Sequence, residues 1–314
     1  MAKKVKILLA VLLVLAFVIG AACSAEEEIR QPAAVTGDPG TVTETAADKE
    51  EESGTEEPAE SQPEAPAAIT VAETVLYEAD GIKVTATGYE ESFMGPAVTL
   101  LIENNSDGNA LVTADAVSVN GYMMPYASLY ADVAAGKKAN ESLSLMNAGL
   151  EQAGIETVAE LQFYLKITDA DTWEEKAVSE LLAVQTSAAG FAQPVDDTGD
   201  VLYDDNGIRV ICKGLKQDIV WDGTIVFYME NNSGAPITVY AENVSVNGFM
   251  EDAGLWSNLR DGTRIIDGMS LLDLSDLELE SIDDVENIEF TLRIINAENW
   301  NEIAATDVIT LRFG

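Results

Sequence analysis

The amino-acid sequence predicts an all-β fold in which two tandem β-sandwich domains follow a signal peptide and a disordered acidic linker. Three observations lead to this prediction: most of the chain is written twice, apolar and polar residues alternate within each copy, and each copy contains an Asn-Gly dipeptide typical of a hairpin turn. Alternation places apolar side chains on one face of a strand, and two such faces bury each other in a sandwich. A closed barrel is the alternative arrangement.

The first 23 residues have the pattern of an export signal. Lysines near the start precede an unbroken run of apolar or small residues at 7–22, a length that suits a signal peptide and is short for a spanning helix. The small residues before Cys23 resemble a bacterial lipoprotein signal, in which the cysteine becomes the lipid-bearing N-terminus. We therefore expect lipidation at Cys23, and two acyl chains are enough for stable anchoring. The alternatives are a plain signal peptide cleaved after Ala22 and an uncleaved anchor helix.

Residues 24–70 have the composition of a disordered acidic linker. Acidic residues far outnumber the two basic ones, Arg30 and Lys49, aromatic residues are missing, and prolines recur. So little apolar surface cannot offset the entropy lost on ordering the chain. We expect a stalk that, as a random coil, holds the folded part roughly 40 Å from the membrane.

Residues 71–187 and 201–314 are two copies of one unit, here named repeat 1 and repeat 2. The matching segments are residues 75–77 and 201–203, 81–84 and 207–210, 103–106 and 230–233, and 118–122 and 245–249. Their offset stays at 126 or 127 residues, which indicates a tandem duplication. The connector, residues 188–200, carries Gly190, Pro194 and Gly199 and is predicted to be a hinge between two domains.

Alternation identifies the strands of each copy in chain order. The residues predicted to face inward in repeat 1 are Ile82, Val84 and Ala86, then Val98, Leu100 and Ile102, then Leu143 and Leu145, and last Leu161, Phe163, Leu165 and Ile167. Residues 147–159 and 273–284 are the least strand-like, and we expect a short helical turn in each. Six or seven strands in each copy are enough for a sandwich.

Asn120-Gly121 and Asn247-Gly248 each lie between two apolar residues. This is the sequence of a type I′ hairpin turn, because both central residues must adopt positive φ. The Asn-Asn-Ser steps that follow Ile102 and Met229 are also predicted to be turns, since these side chains bond to their own backbone.

The run Gly-Pro-x-Val-x-Leu-x-Ile-Glu-Asn-Asn-Ser at residues 95–106, followed by Ser-Val-Asn-Gly-Tyr at 118–122, resembles a known family. It is similar to the Ig-like domains of unknown function found on lipoproteins of Gram-positive bacteria. The resemblance covers both repeats and leaves out the linker. It implies two tandem Ig-like β-sandwich domains at the cell envelope, and it implies no catalytic residues.

Composition excludes several classes of function. A net charge of −38 argues against nucleic acid, because binding to phosphates needs clustered Lys and Arg. The sequence has no histidine, which excludes Ser-His-Asp triads and His-ligated metals, and its two cysteines cannot form a four-thiolate site. We therefore predict no enzyme, no catalytic residue, no cofactor and no metal.

Three groups of residues leave chemical alternatives open. Cys212 matches Ala86 on the inward face, where a thiol behaves as a small apolar group, although a reactive thiol is the alternative. Asp169 and Asp171 form an Asp-x-Asp step suited to calcium, but they become Asn296 and Glu298 in repeat 2, which favours a solvated turn. The many other carboxylates leave a glycosidase pair conceivable, yet no feature selects one.

The candidate binding residues are aromatic or sulfur-containing side chains that the strand pattern does not require for a core. They are Tyr122, Met123, Met124 and Tyr126 beside the hairpin turn of repeat 1, and Trp173 and Trp300 at matching positions of the two repeats. In repeat 2, the segment that matches the first four contains acidic residues. Duplicated domains often keep their core and diverge at the surface that binds a partner. A core or rim position is the simpler alternative for the two tryptophans.

Together these features predict a lipoprotein anchored to the cell membrane and exposed on its extracytoplasmic face. Its expected role is non-enzymatic: binding, adhesion or envelope structure. The expected partners are the lipid bilayer, through the N-terminal anchor, and an envelope protein or glycan. The alternatives are a carboxylate-dependent cell-wall or glycan hydrolase and a solute-binding component of a transporter, although the latter normally has long helices alternating with strands.

Overall fold

A computed structural model describes residues 29–36, 68–217, 223–271 and 279–313 of the chain. The signal peptide, the lipidation site Cys23 and most of the predicted linker lie outside these residues. No helix within the described part of the chain is long and apolar enough to cross a membrane.

The chain folds almost entirely into strands, which confirms the predicted all-β class. The strands are β1 (Ala34–Thr36), β2 (Thr74–Ala79), β3 (Ile82–Glu90), β4 (Ala97–Asn104), β5 (Ala110–Val119), β6 (Tyr122–Met123), β7 (Tyr130–Val133), β8 (Lys138–Ser144), β9 (Glu160–Asp169), β10 (Glu175–Val178), β11 (Leu182–Gln185), β12 (Asp200–Asp205), β13 (Ile208–Gln217), β14 (Gly223–Asn231), β15 (Ile237–Val246), β16 (Phe249–Met250), β17 (Trp256–Leu259), β18 (Thr263–Leu271), β19 (Asn287–Asn296), β20 (Glu302–Ala305) and β21 (Ile309–Arg312). A short helix, α1 (Asn147–Gln152), and a 3-10 turn at Ile282–Asp284 fall within the two stretches predicted to hold a helical turn.

Repeat 1 forms a sandwich of two antiparallel layers. One layer has the order β2-β3-β4-β8, and the other is built around β5 and β9, with β6, β7, β10 and β11 paired to them. The alternating residues predicted to face inward, among them Leu100, Leu143 and Phe163, fill the space between the layers and are fully buried.

Repeat 2 has the same arrangement. Its layer β12-β13-β14-β18 faces a layer built around β15 and β19, which pair with β16, β17, β20 and β21. Phe227 and Phe290 meet edge to face across the core, with ring centroids 6.0 Å apart. Cys212 is buried beside them, and burial raises the pKa of its thiol to about 12, so the group is apolar and unreactive at neutral pH.

Both Asn-Gly turns have the geometry that the sequence predicts. Asn120 and Gly121 have φ of 50° and 83°, and Asn247 and Gly248 have φ of 50° and 85°. The Asn120 side chain also accepts hydrogen bonds from the backbone of Ala159 and Glu160, so the turn is tied to the start of β9.

The two sandwiches share one continuous sheet. β6 of repeat 1 lies parallel to β18 of repeat 2, with Tyr122 opposite Arg264, and the Arg264 amide donates to the carbonyl of Gly121 at 2.9 Å. Ile211 and Tyr228, on the outer face of repeat 2, pack with the core of repeat 1. Two separate cores are therefore joined through a common interface.

The connector between the repeats bonds to both of them. The Gln193 side chain accepts from the Asn120 side chain at 3.1 Å and donates to the Gly154 carbonyl at 2.9 Å. On the other side, Asp196 pairs with Lys213 at 2.8 Å, and this cation lowers the pKa of the Asp196 carboxyl to about 2. These bonds hold the connector against the surfaces of the two sandwiches.

The structure corrects the predicted linker at one place. Residues 29–36 were expected to be disordered with the rest of 24–70, but they run along repeat 2 and include β1, which pairs antiparallel with β21. The reason is local: Ile29 and Arg30 supply an apolar and a basic side chain that the neighbouring acidic runs lack, and β21 is an edge strand with open backbone groups.

Candidate functional site

The interface between the repeats is built on a bulge in β5. The register of β5 against β9 shifts between Asp115 and Ser118, and Ala116 within this bulge has a φ of 47°. A bulge redirects backbone groups, and here it presents the Ala116 carbonyl to the other repeat. Arg260, which is buried, donates to this carbonyl at 3.1 Å and to the Ser118 hydroxyl at 2.5 Å. The two repeats are thereby fixed in one arrangement.

Two of the predicted binding residues, Tyr122 and Met123, lie inside this interface, and Met124 is buried in the core of repeat 1. Tyr122, Met123 and Met124 are 2%, 8% and 6% exposed, and Arg264 stacks over the Tyr122 ring at 5.5 Å. The divergence between the two copies at Tyr122 and Met123 therefore reflects contact between repeats, because the matching residues Phe249 and Met250 are exposed. Tyr126 is exposed beside α1.

The other two predicted residues, Trp173 and Trp300, project from the surface in matching turns. Their side chains are 68% and 65% exposed, and both have a φ of 63°. A bulky residue in the left-handed region is a genuine outlier, and such strain concentrates at functional sites. The same strained tryptophan in both repeats points to a use for the exposed ring.

A shared turn holds each tryptophan in place. The Asp169 side chain accepts from the amides of Asp171 and Thr172, and Asn296 accepts in the same way from Glu298 and Asn299. The amide of each tryptophan donates to the backbone carbonyl of the same Asp or Asn at 2.9 Å. The Asp-x-Asp step considered for calcium therefore forms this turn.

The charge on Asp169 also has a partner within the protein. Lys176 pairs with this carboxylate at 2.5 Å and, together with the amides of Thr172 and Asp171, lowers the pKa of Asp169 to about 2. Among the described residues, no three Asp, Glu or Cys side chains are grouped in a way that could hold a metal ion.

Repeat 2 extends its tryptophan into a surface of three aromatic rings, here named the aromatic row: Tyr240, Trp256 and Trp300. Tyr240 stacks on Trp256 with centroids 5.2 Å apart, and Trp256 lies 6.2 Å from Trp300 at a tilt of 42°. Trp256 is 54% exposed. The row offers a wide apolar surface to solvent.

Two rings of the aromatic row, Trp256 and Trp300, lie in the wall of a cleft between the repeats. This interdomain cleft has a volume of about 610 Å³ and is lined by Trp256 and Trp300 from repeat 2 and by Asp115 and Tyr164 from repeat 1. A second hollow of about 380 Å³ continues past Trp256 toward Pro125. Together they form a groove of the size that small ligands and short oligomers occupy.

The polar groups of the cleft are mainly acceptors. Asp115, Asn258, Asp261 and Glu298 line it. The one arginine in the lining, Arg260, directs its guanidinium into repeat 1, as described above. With a net charge of −38 on the whole chain, this surface disfavours anionic ligands and suits neutral or cationic ones.

Asp267 lies in the second hollow and is more deeply placed. Burial raises the pKa of its carboxyl, while hydrogen bonds from the Ser257 hydroxyl at 2.6 Å and the Gly268 amide at 2.8 Å partly offset this effect. Both bonds hold the carboxylate against β17 and β18. Asp267 is thus a buried acceptor in the lining of the second hollow.

Two exposed aromatic residues were not predicted from the sequence: Trp256 of the aromatic row and its counterpart in repeat 1, Tyr130. They occupy matching positions in the two repeats and are 54% and 64% exposed. The signal was present in the sequence: each follows a buried leucine, Leu129 or Leu255, so each is out of phase with the inward-facing residues. An aromatic residue at an outward-facing strand position, repeated in both copies, indicates an exposed ring.

Comparison with known proteins gives no family. No family model matches the chain, and no curated protein matches it. Among solved structures, that of a transglutaminase from red sea bream matches with 10% identity and a TM-score of 0.19, over 77% of this chain and 31% of that one. The matched region is thus about a third of the length of the transglutaminase.

Proposed function

We propose that this protein is a non-enzymatic binding protein of the bacterial cell envelope, anchored by lipid at Cys23 on the extracytoplasmic face, and that it holds its ligand against the aromatic row in the interdomain cleft. The Ig-like lipoprotein resemblance of the sequence is part of the same proposal. The observation that carries it is the row itself: three contacting aromatic rings, two of them more than half exposed, beside a cleft of about 610 Å³.

The chemistry of the cleft favours a neutral glycan as ligand. Flat aromatic faces contact the C–H faces of sugar rings, and the surrounding Asp115, Asn258, Asp261 and Glu298 offer acceptors for hydroxyl groups. An anionic polymer is disfavoured by the acidic surface. An envelope protein as ligand is the other outcome that the experiment below distinguishes.

The first testable prediction concerns the aromatic row. Trp256→Ala and Trp300→Ala are expected to weaken binding to purified neutral envelope glycan by at least about tenfold each, because each removes a stacking surface. Trp173→Ala is the matched control, since Trp173 has the same turn, the same φ and similar exposure but lies outside the cleft lining. Calorimetric titration of the full chain measures the affinities.

Three results would contradict the proposal in whole or in part. Equal affinity of all three variants and the parent protein would remove the aromatic row from binding. Capture of an envelope protein that Trp256→Ala releases, with no affinity for glycan, would keep the site and change the ligand class. Release of new reducing ends from glycan, abolished by one Asp or Glu substitution, would instead favour the hydrolase.

A further inference from the structure

In repeat 1, the chain enters the sandwich along β11. Val71 forms an antiparallel bridge with Thr186, and the Ser187 amide donates to the Thr70 carbonyl at 2.8 Å. The chain then crosses to the other layer, where β2 pairs with β3. The residues before β2 therefore pair with the chain directly after β11.

In repeat 2, the same position beside the edge strand is taken by a distant segment. β21 corresponds to β11 at an offset of 127, and β1 pairs with it so that Ala34 lies opposite Arg312. The Ala33 amide donates to the Arg312 carbonyl at 2.6 Å. In this register Ala33 lies where the first repeat has Val71.

The residues directly before β12 cannot fill this position, because they are held elsewhere. Asp196 pairs with Lys213 at 2.8 Å and Asp197 with Arg209 at 2.6 Å, both on β13. The connector reaches these contacts from repeat 1. Repeat 2 therefore lacks an entering segment of its own along β21.

Residues 29 and 30 are fitted to the surface that they cover. Arg30 exchanges two backbone hydrogen bonds with Leu215, each at 2.8 Å, and its guanidinium donates to the Ile282 carbonyl at 2.6 Å and lies 5.8 Å from the centre of the Phe313 ring. These bonds join the N-terminal segment to both layers of repeat 2.

Gly214 shows that this approach is built into the fold. It has a φ of 125°, and a side chain there would lie 2.4 Å from the Arg30 carbonyl oxygen and 2.7 Å from the Ile29 side chain. The matching residue of repeat 1, Gly88, has only the Thr99 hydroxyl nearby, at 3.2 Å. The close approach at Gly214 thus belongs to the N-terminal segment alone.

We propose that residues 29–36 are a donated edge strand that completes repeat 2, in the place that the residues before β2 fill in repeat 1. An uncovered edge strand is a site of unwanted pairing, and an extended segment of the same chain is a strand that covers it. The occupant is this chain's own N-terminal segment, supplied within one molecule.

The donated strand changes where the protein is tethered. If Cys23 carries the lipid, as proposed above, five residues separate it from Ile29, and they span at most about 20 Å whatever their conformation. Repeat 2 is then the domain next to the membrane.

A cysteine cross-link tests the donated strand in the soluble Cys23→Ser protein, so that its outcome is independent of the lipid anchor. Ala34→Cys with Arg312→Cys is expected to form a disulfide within one molecule under mild oxidation. Ala34→Cys with Gln185→Cys is the matched control, since Gln185 is the residue of β11 that corresponds to Arg312. A bond to position 185, bonds between molecules, or failure of the 34–312 pair to form would overturn the proposal.

Hydrogen exchange gives a second measurement. Removal of residues 29–36 is expected to speed exchange at residues 309–313 at least tenfold and to leave residues 182–187 of repeat 1 unchanged. Removal of residues 45–52, an equal length of the same linker, is expected to change neither. Unchanged exchange at 309–313 after the first deletion, or an equal effect of the second, would contradict the donated strand.

Discussion

Trp173 and Trp300 show how single residues of this protein combine strain with exposure. Each has a φ of 63°, in a region that costs a non-glycine residue about 1–2 kcal/mol, and each projects into solvent from a turn fixed by an Asp or Asn side chain. Glycine or asparagine would relieve the strain, so the tryptophan is better explained by a use for its ring than by stability.

The second prediction concerns the buried carboxyl of Asp267. Burial raises its pKa above the ordinary value, so its stabilising contribution is present at low pH and is lost as pH rises through the folded-state pKa. Asp267→Asn is therefore expected to gain stability relative to the parent protein between pH 3 and pH 7, as measured by urea unfolding.

Asp196→Asn is the control of opposite sign. Lys213 lowers the pKa of Asp196 to about 2, so the contribution of this carboxylate is present above the unfolded pKa and is lost as pH falls from about 4 toward 2. Asp196→Asn should lose stability relative to the parent at pH 7 and less at pH 2. A flat difference between Asp267→Asn and the parent across pH would contradict the burial of Asp267.

At the residue scale, the properties that the sequence predicted are those set by nearby residues along the chain, such as the face on which a side chain lies and the φ angles of a turn. Alternation placed Cys212 on the inward face, and the Asn-Gly rule predicted the φ values at Asn120 and Gly121. Tyr122 and Met123 were assigned to an open surface because their burial depends on the other repeat, which no pattern within repeat 1 records.

Among the elements, β14 carries the clearest mark of the interface. Its residues are buried on both faces, with Val226 and Tyr228 on the side away from its own core. The matching residues of β4 are Thr99 and Leu101, which are partly exposed. A strand that is apolar on both faces in one copy only indicates contact outside its own sandwich.

The third prediction tests that outer face. Ile211→Thr, which introduces the residue that repeat 1 has at position 85, is expected to lower the free energy of unfolding by about 2 kcal/mol, because it buries a hydroxyl and removes apolar contact with repeat 1. Thr87→Ala, at an exposed position, is expected to change it by less than about 0.5 kcal/mol. A decrease in the free energy of unfolding smaller than that of Thr87→Ala would place Ile211 outside the interface.

At the element scale, the strands inside each sandwich were predictable and the pairings between segments far apart were not. Alternation identified β3, β4, β8 and β9, since each needs only one apolar face. β1 is only three residues long, and β6 pairs with β18 through a single pair of residues. Neither pairing is long enough to leave a periodic pattern in the sequence.

For the whole molecule, Arg260 links the stability of the two repeats. The fourth prediction is that Arg260→Ala, which leaves the Ala116 carbonyl and the Ser118 hydroxyl without this donor, lowers the free energy of unfolding by about 2 kcal/mol and splits one calorimetric transition into two. Lys166→Ala, which removes an exposed pair with Glu175, is the control and should leave one transition. One unchanged transition in Arg260→Ala would show that the repeats are coupled by other contacts.

The molecule as a whole is two separately cored sandwiches joined in a fixed arrangement, and the cleft depends on that arrangement. The aromatic row belongs to repeat 2, while Asp115 and Tyr164 on the opposite wall belong to repeat 1. A flexible joint would open the cleft and leave the row on a flat surface. The pairing of β6 with β18 is therefore central to both the fold and the proposed function.

Hydrogen exchange at the Arg264 amide, followed by nuclear magnetic resonance, tests this pairing most directly. The amide donates to the Gly121 carbonyl of the other repeat at 2.9 Å, whereas the matching residue of repeat 1, Lys138, lies on β8 at the edge of its sheet. The fifth prediction is that the Arg264 amide exchanges at least about a hundredfold more slowly than the Lys138 amide. Equal, rapid exchange at both positions would show that the two repeats are not joined in one sheet.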